Sequence, residues 1–283
     1  MKIAIIGYGF VGRALEAGLK DNVKTYLVDP LLKTDISDLK KFSPEIVFIC
    51  VPTPMSDDGS QDISILENVI TQIKNIAKRP LIVLKSTVLP NHLSSIEKII
   101  PEIVYNPEFL REKYANEDFI NSDLIIFGGL KKYTSLLADF YDNHTKCINK
   151  NFQFTDLISA SLIKYSINSY LSTKVIFFNE LNKLFNKAGA QDSWENFIKI
   201  LSTDKRIGSS HMEVPGPDGR FGFGGACFPK DCNAFYSYSK DIHEPFTLLS
   251  NTISINNEIR KNYDSVNLRE LNQNINFDIN IKK

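Results

Sequence analysis

Ile3-Ala4-Ile5-Ile6-Gly7-Tyr8-Gly9-Phe10-Val11-Gly12 is the stretch that decides the fold. Four consecutive apolar residues read as a strand buried on both faces, and they run directly into Gly-x-Gly-x-x-Gly. That glycine spacing is common by itself; its meaning comes from the residues beyond Gly12. Ala14, Leu15 and Leu19 recur at helical spacing, Thr25 to Val28 form a second apolar segment, and Asp29 stands 17 residues beyond Gly12. This is a β-α-β unit in which the glycines make the turn, the helix N-terminus receives a pyrophosphate, and the acid binds a ribose diol. Gly7, Gly9, Phe10, Val11, Gly12 and Asp29 are therefore expected to hold a dinucleotide. A carboxylate repels a 2′-phosphate, so Asp29 favours NAD over NADP, while Lys33 works against that preference.

Beyond Asp29, strand and helix patterns continue to alternate: a strand at 46–51, a helix from Ile63 to Ala77, and strands at 81–84, 103–105 and 124–127. Such alternation predicts an α/β fold with a Rossmann-type, doubly wound parallel sheet. Its functional loops should lie at the carboxyl ends of strands, where Pro52-Thr53-Pro54, Ser86-Thr87 and Asn106-Pro107-Glu108 fall. Taken singly, Thr53 reads equally well as ordinary turn chemistry.

From Asp156 to Ala188 there is no proline or glycine, and apolar residues recur at helical spacing until Gly189 supplies a stop. One long helix is expected, the core of a mainly helical second domain, with shorter helices at 192–202, after Pro229 and from Pro245 to about Tyr263. Lys164 and Asn168 project from one face of the long helix. Beyond Val266 the chain is rich in asparagine and poor in large apolar clusters, so it reads as a frayed tail. The expected division is residues 1–153 as the dinucleotide-binding domain, 154–266 as the helical domain and 267–283 as the tail.

Composition excludes several classes of function. Lysine plus arginine (33) balances aspartate plus glutamate (33), so no basic excess argues for a nucleic acid or an anionic membrane surface. The cysteines at 50, 147, 227 and 232 form no zinc-ligand pattern with histidines, and no metal site is expected. The apolar run after Lys2 is too short for a signal-peptide core, and no later run reaches the ~20 residues of a membrane span. A cytoplasmic protein is expected.

Phe221-Gly-Phe-Gly-Gly-Ala-Cys227-Phe-Pro-Lys-Asp231 offers a cysteine at the mouth of an expected helix, although a lone cysteine reads more often as a small buried hydrophobe. Glycines at 222, 224 and 225 let the backbone approach a ligand, and Pro229 suits a helix's first turn. Cys227 would sit at the helix mouth, where the helix N-terminus and Lys230 favour a thiolate.

Together, Gly7-x-Gly9-x-x-Gly12, Val51-Pro52-Thr53-Pro54, Lys85-Ser86-Thr87-Val88, Asn106-Pro107-Glu108-Phe109-Leu110-Arg111-Glu112, Lys164-x-x-x-Asn168, Asp204-Lys205-Arg206-Ile207-Gly208 and the 221–231 stretch closely resemble the UDP-glucose/GDP-mannose dehydrogenase family, over roughly residues 1–264. The resemblance implies oxidation of a nucleotide-sugar C6 alcohol to a carboxylate by NAD, UDP-glucose to UDP-glucuronate being the leading case, for polysaccharide synthesis. It implies that Cys227 is a nucleophile forming a thiohemiacetal and then a thioester. Lys164 and Asn168 resemble the pair that stabilises negative charge on the C6 oxygen, and Glu108, Asp231 and Thr87 the groups that assist proton transfer and hydrolysis. The same resemblance puts Pro52, Thr53, Ser86, Thr87, Glu112 and Lys230 beside the cofactor. It puts Glu108, Phe109, Leu110, Arg111, Glu112, Lys164, Asn168, Phe223 and Gly224 against the substrate. Arg206 resembles the arginine that reaches a substrate pyrophosphate across a dimer interface built on the long helix, so a homodimer is implied.

Two departures stand out. Family members usually continue with a third, uridine-diphosphate-binding domain, which this chain is expected to lack. The Arg206 to Cys227 interval is also about five residues longer than the family's usual spacing, and His211, Asp218 and Arg220 in that loop are candidates to replace contacts of the third domain. Two alternatives stay open: a two-domain hydroxyacid dehydrogenase making a single hydride transfer, and a non-catalytic NAD-binding dimerisation module.

Overall fold

The computed structural model describes residues 1–76, 79–263 and 267–279. It opens with β1 (Lys2–Ile6), α1 (Phe10–Ala17), β2 (Lys24–Val28), α2 (Leu39–Phe42) and β3 (Ile46–Ile49). Next come α3 (Ser64–Lys74), β4 (Leu81–Leu84), α4 (Pro90–Ile99), β5 (Val104–Tyr105), α5 (Ala115–Ile120), β6 (Ile126–Gly128), α6 (Lys131–His144) and β7 (Gln153–Thr155). The helical part comprises α7 (Leu157–Lys187), α8 (Trp194–Leu201), α9 (Phe228–Asp241), α10 (Thr247–Arg260) and α11 (Leu268–Leu271). Ala77, the expected end of α3, lies outside the described residues, as do Val266 and the last four residues of the expected tail.

The strands form one seven-stranded sheet in the order β2-β1-β3-β4-β5-β6-β7. Consecutive side chains of a strand face opposite ways, and both faces here are apolar. Ala4, Ile6, Val47 and Ile49 belong to one buried cluster, whereas Ile3, Ile5, Ile46 and Phe48 belong to another. The chain winds from β1 out to β2 and returns to β3 on the other side of β1, so the order reverses at the β1/β3 boundary, where doubly wound sheets bind ligands.

The sheet departs from the expected uniformly parallel pattern in one place: β5 and β6 are antiparallel, Tyr105 pairing with Gly128. The connection between them carries α5, which packs tightly on α1; a β-carbon on Gly18 would lie 2.2 Å from the Phe119 ring. The edge strand β7 has no counterpart among the expected strands, because Gln153 and Phe154 are exposed and the segment has no apolar run.

The chain forms two compact units, residues 1–53 with 62–164, and residues 54–61 with 165–283. The break between these units falls inside α7, whose first turns, through Leu157 and Ala160, belong to a core cluster of the sheet. In the second unit Phe178, Trp194, Met212 and Val214 make a separate core. Helix α7 runs for 31 residues and ends where Gly189 adopts φ +74°.

The 267–279 segment is not the frayed tail its composition suggested. Asn267 caps α11 by accepting from the amides of Arg269 and Glu270, Glu270 is fully buried, and Ile275 is 7% exposed. Gln273 accepts a hydrogen bond from the Met55 amide at 3.0 Å, and the Asn257 amide group donates to the Ile279 carbonyl at 3.2 Å. Asparagines here serve as caps and backbone partners, so their abundance reflects polar fastening rather than disorder.

Candidate active site

In the first unit, the glycine fingerprint comes directly after β1 and α1 begins at Phe10. The three glycines meet different demands. Gly7 has φ +90° and a β-carbon there would lie 2.8 Å from the Cys50 backbone; one on Gly12 would lie 2.3 Å from the Gly7 carbonyl. Gly9, the N-cap of α1, has nothing within 4 Å of its would-be β-carbon. Two glycines thus close the turn and the middle one leaves open the space above a helix N-terminus, which is what a pyrophosphate requires. Phe10 and Val11, half-buried, begin the helix. Asp29 follows β2, its carboxylate fixed by the amides of Tyr8 (2.7 Å) and Leu31 (2.9 Å), beside that open space. These residues fit NAD. Lys33 is exposed and left-handed, φ 56°, at the end of the turn after Asp29.

The strand-end loops are stapled by their own hydroxyls. Thr53 donates to the Thr87 carbonyl at 2.9 Å and Ser86 to the Val51 carbonyl at 2.7 Å, with all three side chains buried and Pro52 exposed. For Thr53 and Ser86 this bonding is the turn chemistry that competes with a ligand role.

The Asn-Pro-Glu loop starts from a buried polar knot. The Lys85 ammonium donates to Asn106 Oδ1 at 3.0 Å, the Tyr141 hydroxyl donates to the same oxygen at 2.6 Å, and Asn106 Nδ2 donates to the Ile126 carbonyl at 3.0 Å. Burial pulls the Lys85 ammonium below the usual lysine range and pushes the Tyr141 phenol well above its own. Glu108, two residues on, is 8% exposed, its Oε2 accepting from the Leu110 amide at 2.6 Å. Lys164, 2% exposed, donates to the Glu108 carbonyl at 2.6 Å; its Nζ lies 3.8 Å from Glu108 Oε1 and 5.1 Å from the centre of the Phe109 ring. Lys164, Glu108 and Phe109 are thereby brought together. Arg111 is engaged elsewhere, paired through two nitrogens with Asp118, and Glu112 opens the next turn.

In the second unit, Cys227 is the N-cap of α9, half-buried, its carbonyl accepting from the Asp231 amide at 2.9 Å. One turn below, the buried Asp231 carboxylate receives the Asn168 amide at 2.6 Å on Oδ2 and the Lys230 ammonium at 2.6 Å on Oδ1. Asn168, Asp231 and Lys230 therefore form one charge-assisted cluster beneath the cysteine, and the positive charge expected to act on Cys227 is shared with Asp231. The other thiols are unsuited to nucleophilic work: burial pushes Cys50 and Cys232 up to about 12 and raises Cys147.

Side chains that no motif flagged hold the glycine loop. Asn256 accepts from the Phe223 amide (2.7 Å) and donates to the Phe223 carbonyl (2.9 Å), Asn179 accepts from the Gly222 amide (2.9 Å), and Arg260 donates to the Gly222 carbonyl (3.0 Å). A β-carbon on Gly224 would lie 2.4 Å from Glu270 Oε1. The available signal was polar residues recurring inside apolar helical runs; nothing in their spacing named a partner.

The long loop before Phe221 folds onto its own unit. Asp218 pairs with Arg260 at 2.6 Å, the Arg220 guanidinium lies 5.0 Å from the centre of the Tyr263 ring, and the His211 ring lies 5.5 Å from that of Phe228. Lys174 donates to the carbonyls of Ile207 and Gly208, fixing the turn that carries Arg206, whose side chain is 89% exposed and paired with Asp204. Among the described residues there is no group of three His, Cys, Asp or Glu able to hold a metal, and no helix is long and apolar enough to cross a membrane.

Comparison with known proteins agrees with this geometry. The NAD binding domain of the UDP-glucose/GDP-mannose dehydrogenase family matches residues 13–145, and that family's central domain matches 158–258. A UDP-glucose 6-dehydrogenase of Rickettsia bellii is 39% identical over 226 residues, 76% of this chain and 49% of that protein. One from Bacillus subtilis is 31% identical over 259 residues, covering 86% and 55% respectively. The chain thus spans about half the length of the curated relatives it matches. Among solved structures, a UDP-glucose dehydrogenase from Pyrobaculum islandicum superposes with a TM-score of 0.75 at 26% identity, covering 91% of this chain and 68% of that one. With both domain models matched in order and the fingerprint, lysine helix and cysteine loop in place, this chain belongs to the UDP-glucose/GDP-mannose dehydrogenase family.

Proposed function

We propose that the protein oxidises the C6 alcohol of a nucleotide sugar, UDP-glucose first among them, to the carboxylate through a thioester on Cys227. The observation that carries this reading is the half-buried Cys227 at the N-cap of α9 with the Asp231, Asn168 and Lys230 cluster one turn beneath it. When bound, NAD takes up the hydride released at each of the two oxidations. Cys227 Sγ adds as thiolate to the aldehyde carbon left by the first oxidation, forming a C–S bond and an alkoxide. Loss of the second hydride leaves a thioester, and water breaks its C–S bond to release carboxylate and thiol. The Lys164 ammonium and the Asn168 amide stabilise negative charge on the C6 oxygen, and Glu108 and Asp231 handle protons, Thr87 assisting at the water. Arg206 takes the pyrophosphate as a guanidinium suits, and a homodimer presents it. A reducing cytosol suits the four free thiols.

The test is NADH yield. The parent should give two NADH per UDP-glucose, and Cys227→Ser should lose about a thousandfold or more of the overall rate. Two equivalents at the parent rate in that variant would remove the covalent mechanism. One NADH per turnover on a small hydroxyacid would support the alternative enzyme class.

A further inference from the structure

We propose that Glu270 is a positioning residue for the Cys227 loop, which makes the 267–279 segment a working part of the active site; this builds on the function proposed above. Glu270 is fully buried, and a carboxylate removed from water must find partners. Both its oxygens do so on backbone amides. Oε2 accepts from Asn267 at 3.0 Å and closes the capping box of α11. The cap needs only that oxygen. Oε1 is turned the other way and accepts from the Gly225 amide at 3.0 Å, two residues before Cys227.

The surroundings show why this bond matters at that position. Gly225 sits at φ +80° with nothing within 4 Å of a would-be β-carbon, so contact on that side does not restrain it. Its neighbour Gly224 is enclosed: a β-carbon there would lie 2.4 Å from Glu270 Oε1 and 2.8 Å from Arg260 Nη1. Upstream, Gly222 and Phe223 are held by Asn179 and Asn256. The Glu270 bond therefore fastens this loop two residues before the N-cap cysteine of α9. The segment is itself seated by the Gln273 carbonyl on the Met55 amide and by the Ile279 carbonyl on the Asn257 amide group. A nucleophile displaced by about 1 Å can lose a hundredfold in rate, so an anchor here acts on catalysis without touching substrate.

The experiment compares Glu270→Ala and Glu270→Gln in the full chain. It reads steady-state kinetics with UDP-glucose and NAD, and backbone hydrogen exchange of the Gly222 to Phe228 peptide without ligands. In the alanine variant kcat should fall by about tenfold or more, KM for both substrates should stay within about twofold, and the peptide should exchange about tenfold faster. The glutamine variant has one acceptor oxygen for two amide donors; with that oxygen on Gly225 and the cap bond to Asn267 given up, it should hold kcat within about threefold and the parent's protection. Unchanged exchange in Glu270→Ala, or a glutamine variant as impaired as alanine, would overturn the proposal. If the alanine variant does not fold, Glu270→Asp, with its carboxylate one methylene short, replaces it under the same expectations. Because exchange is measured without substrate, it decides the anchor even if the parent turns over no nucleotide sugar, a result that would count only against the function proposed above.

Discussion

Gly9 and Gly12 belong to one fingerprint yet answer to different partners, and substitution should separate them. A β-carbon at residue 9 has nothing within 4 Å, so Gly9→Val should keep the fold's stability while losing NAD. In the parent, NAD at about a hundred times its Kd should add about 2.7 kcal/mol to unfolding, and in Gly9→Val this gain should vanish. Gly12→Val drives a side chain into the Gly7 carbonyl and should cost at least about 2 kcal/mol with no cofactor present. Urea unfolding with and without NAD measures both, and an undiminished NAD effect in Gly9→Val would show that the cofactor does not approach there. Spacing along the chain puts Asp29 after a second strand and Cys227 at a helix mouth, and the structure has both there. Such spacing is silent on Glu270 and Asn256, whose roles depend on partners dozens of residues away.

Among the elements, α7 was the easiest to read and still held something back. Its uninterrupted helical spacing announced its length, but not which apolar residues would stay uncovered. Ile163, Tyr170, Phe177 and Leu184 fall at intervals of seven and are 37, 62, 59 and 63% exposed. A seven-residue apolar stripe suits another helix, and it supports the proposed homodimer. Phe177→Glu combined with Leu184→Glu should sediment as a monomer with unchanged helical content, while the parent sediments as a dimer at micromolar concentration. A parent that is monomeric, or a double variant that stays dimeric, would place the interface elsewhere. The same helix shows why an apolar run is an incomplete guide: Lys164, Asn168, Lys174 and Asn179 are all buried within it, each with a hydrogen-bond partner.

For the molecule as a whole, balanced charge leaves little net repulsion near neutrality, so the pH dependence of stability there reports individual groups. Burial holds His92 and His144 below the usual histidine range, Glu67 partly opposing this at His92. With a lowered folded pKa, the unfolded chain takes up its proton first, so stability is full above about pH 6.5 and declines as pH falls through the folded pKa. The urea midpoint should drop between pH 7.5 and 5.5, and His92→Gln should flatten that decline. A slope unchanged by the substitution would assign the effect to other groups.

Local pattern along the chain was enough to specify the doubly wound sheet, the glycine fingerprint, the long helix and the cysteine at the mouth of α9. Each is encoded by local periodicity or by a motif whose members are near neighbours in the chain. Tertiary structure decided the reversed β6, the division of the chain inside α7, the engagement of Arg111 with Asp118 and of Asp218 with Arg260, and the seating of 267–279. In these cases the deciding contact joins residues with no local pattern in common, and the requirement that buried polar groups find partners becomes specific only once the fold has chosen them.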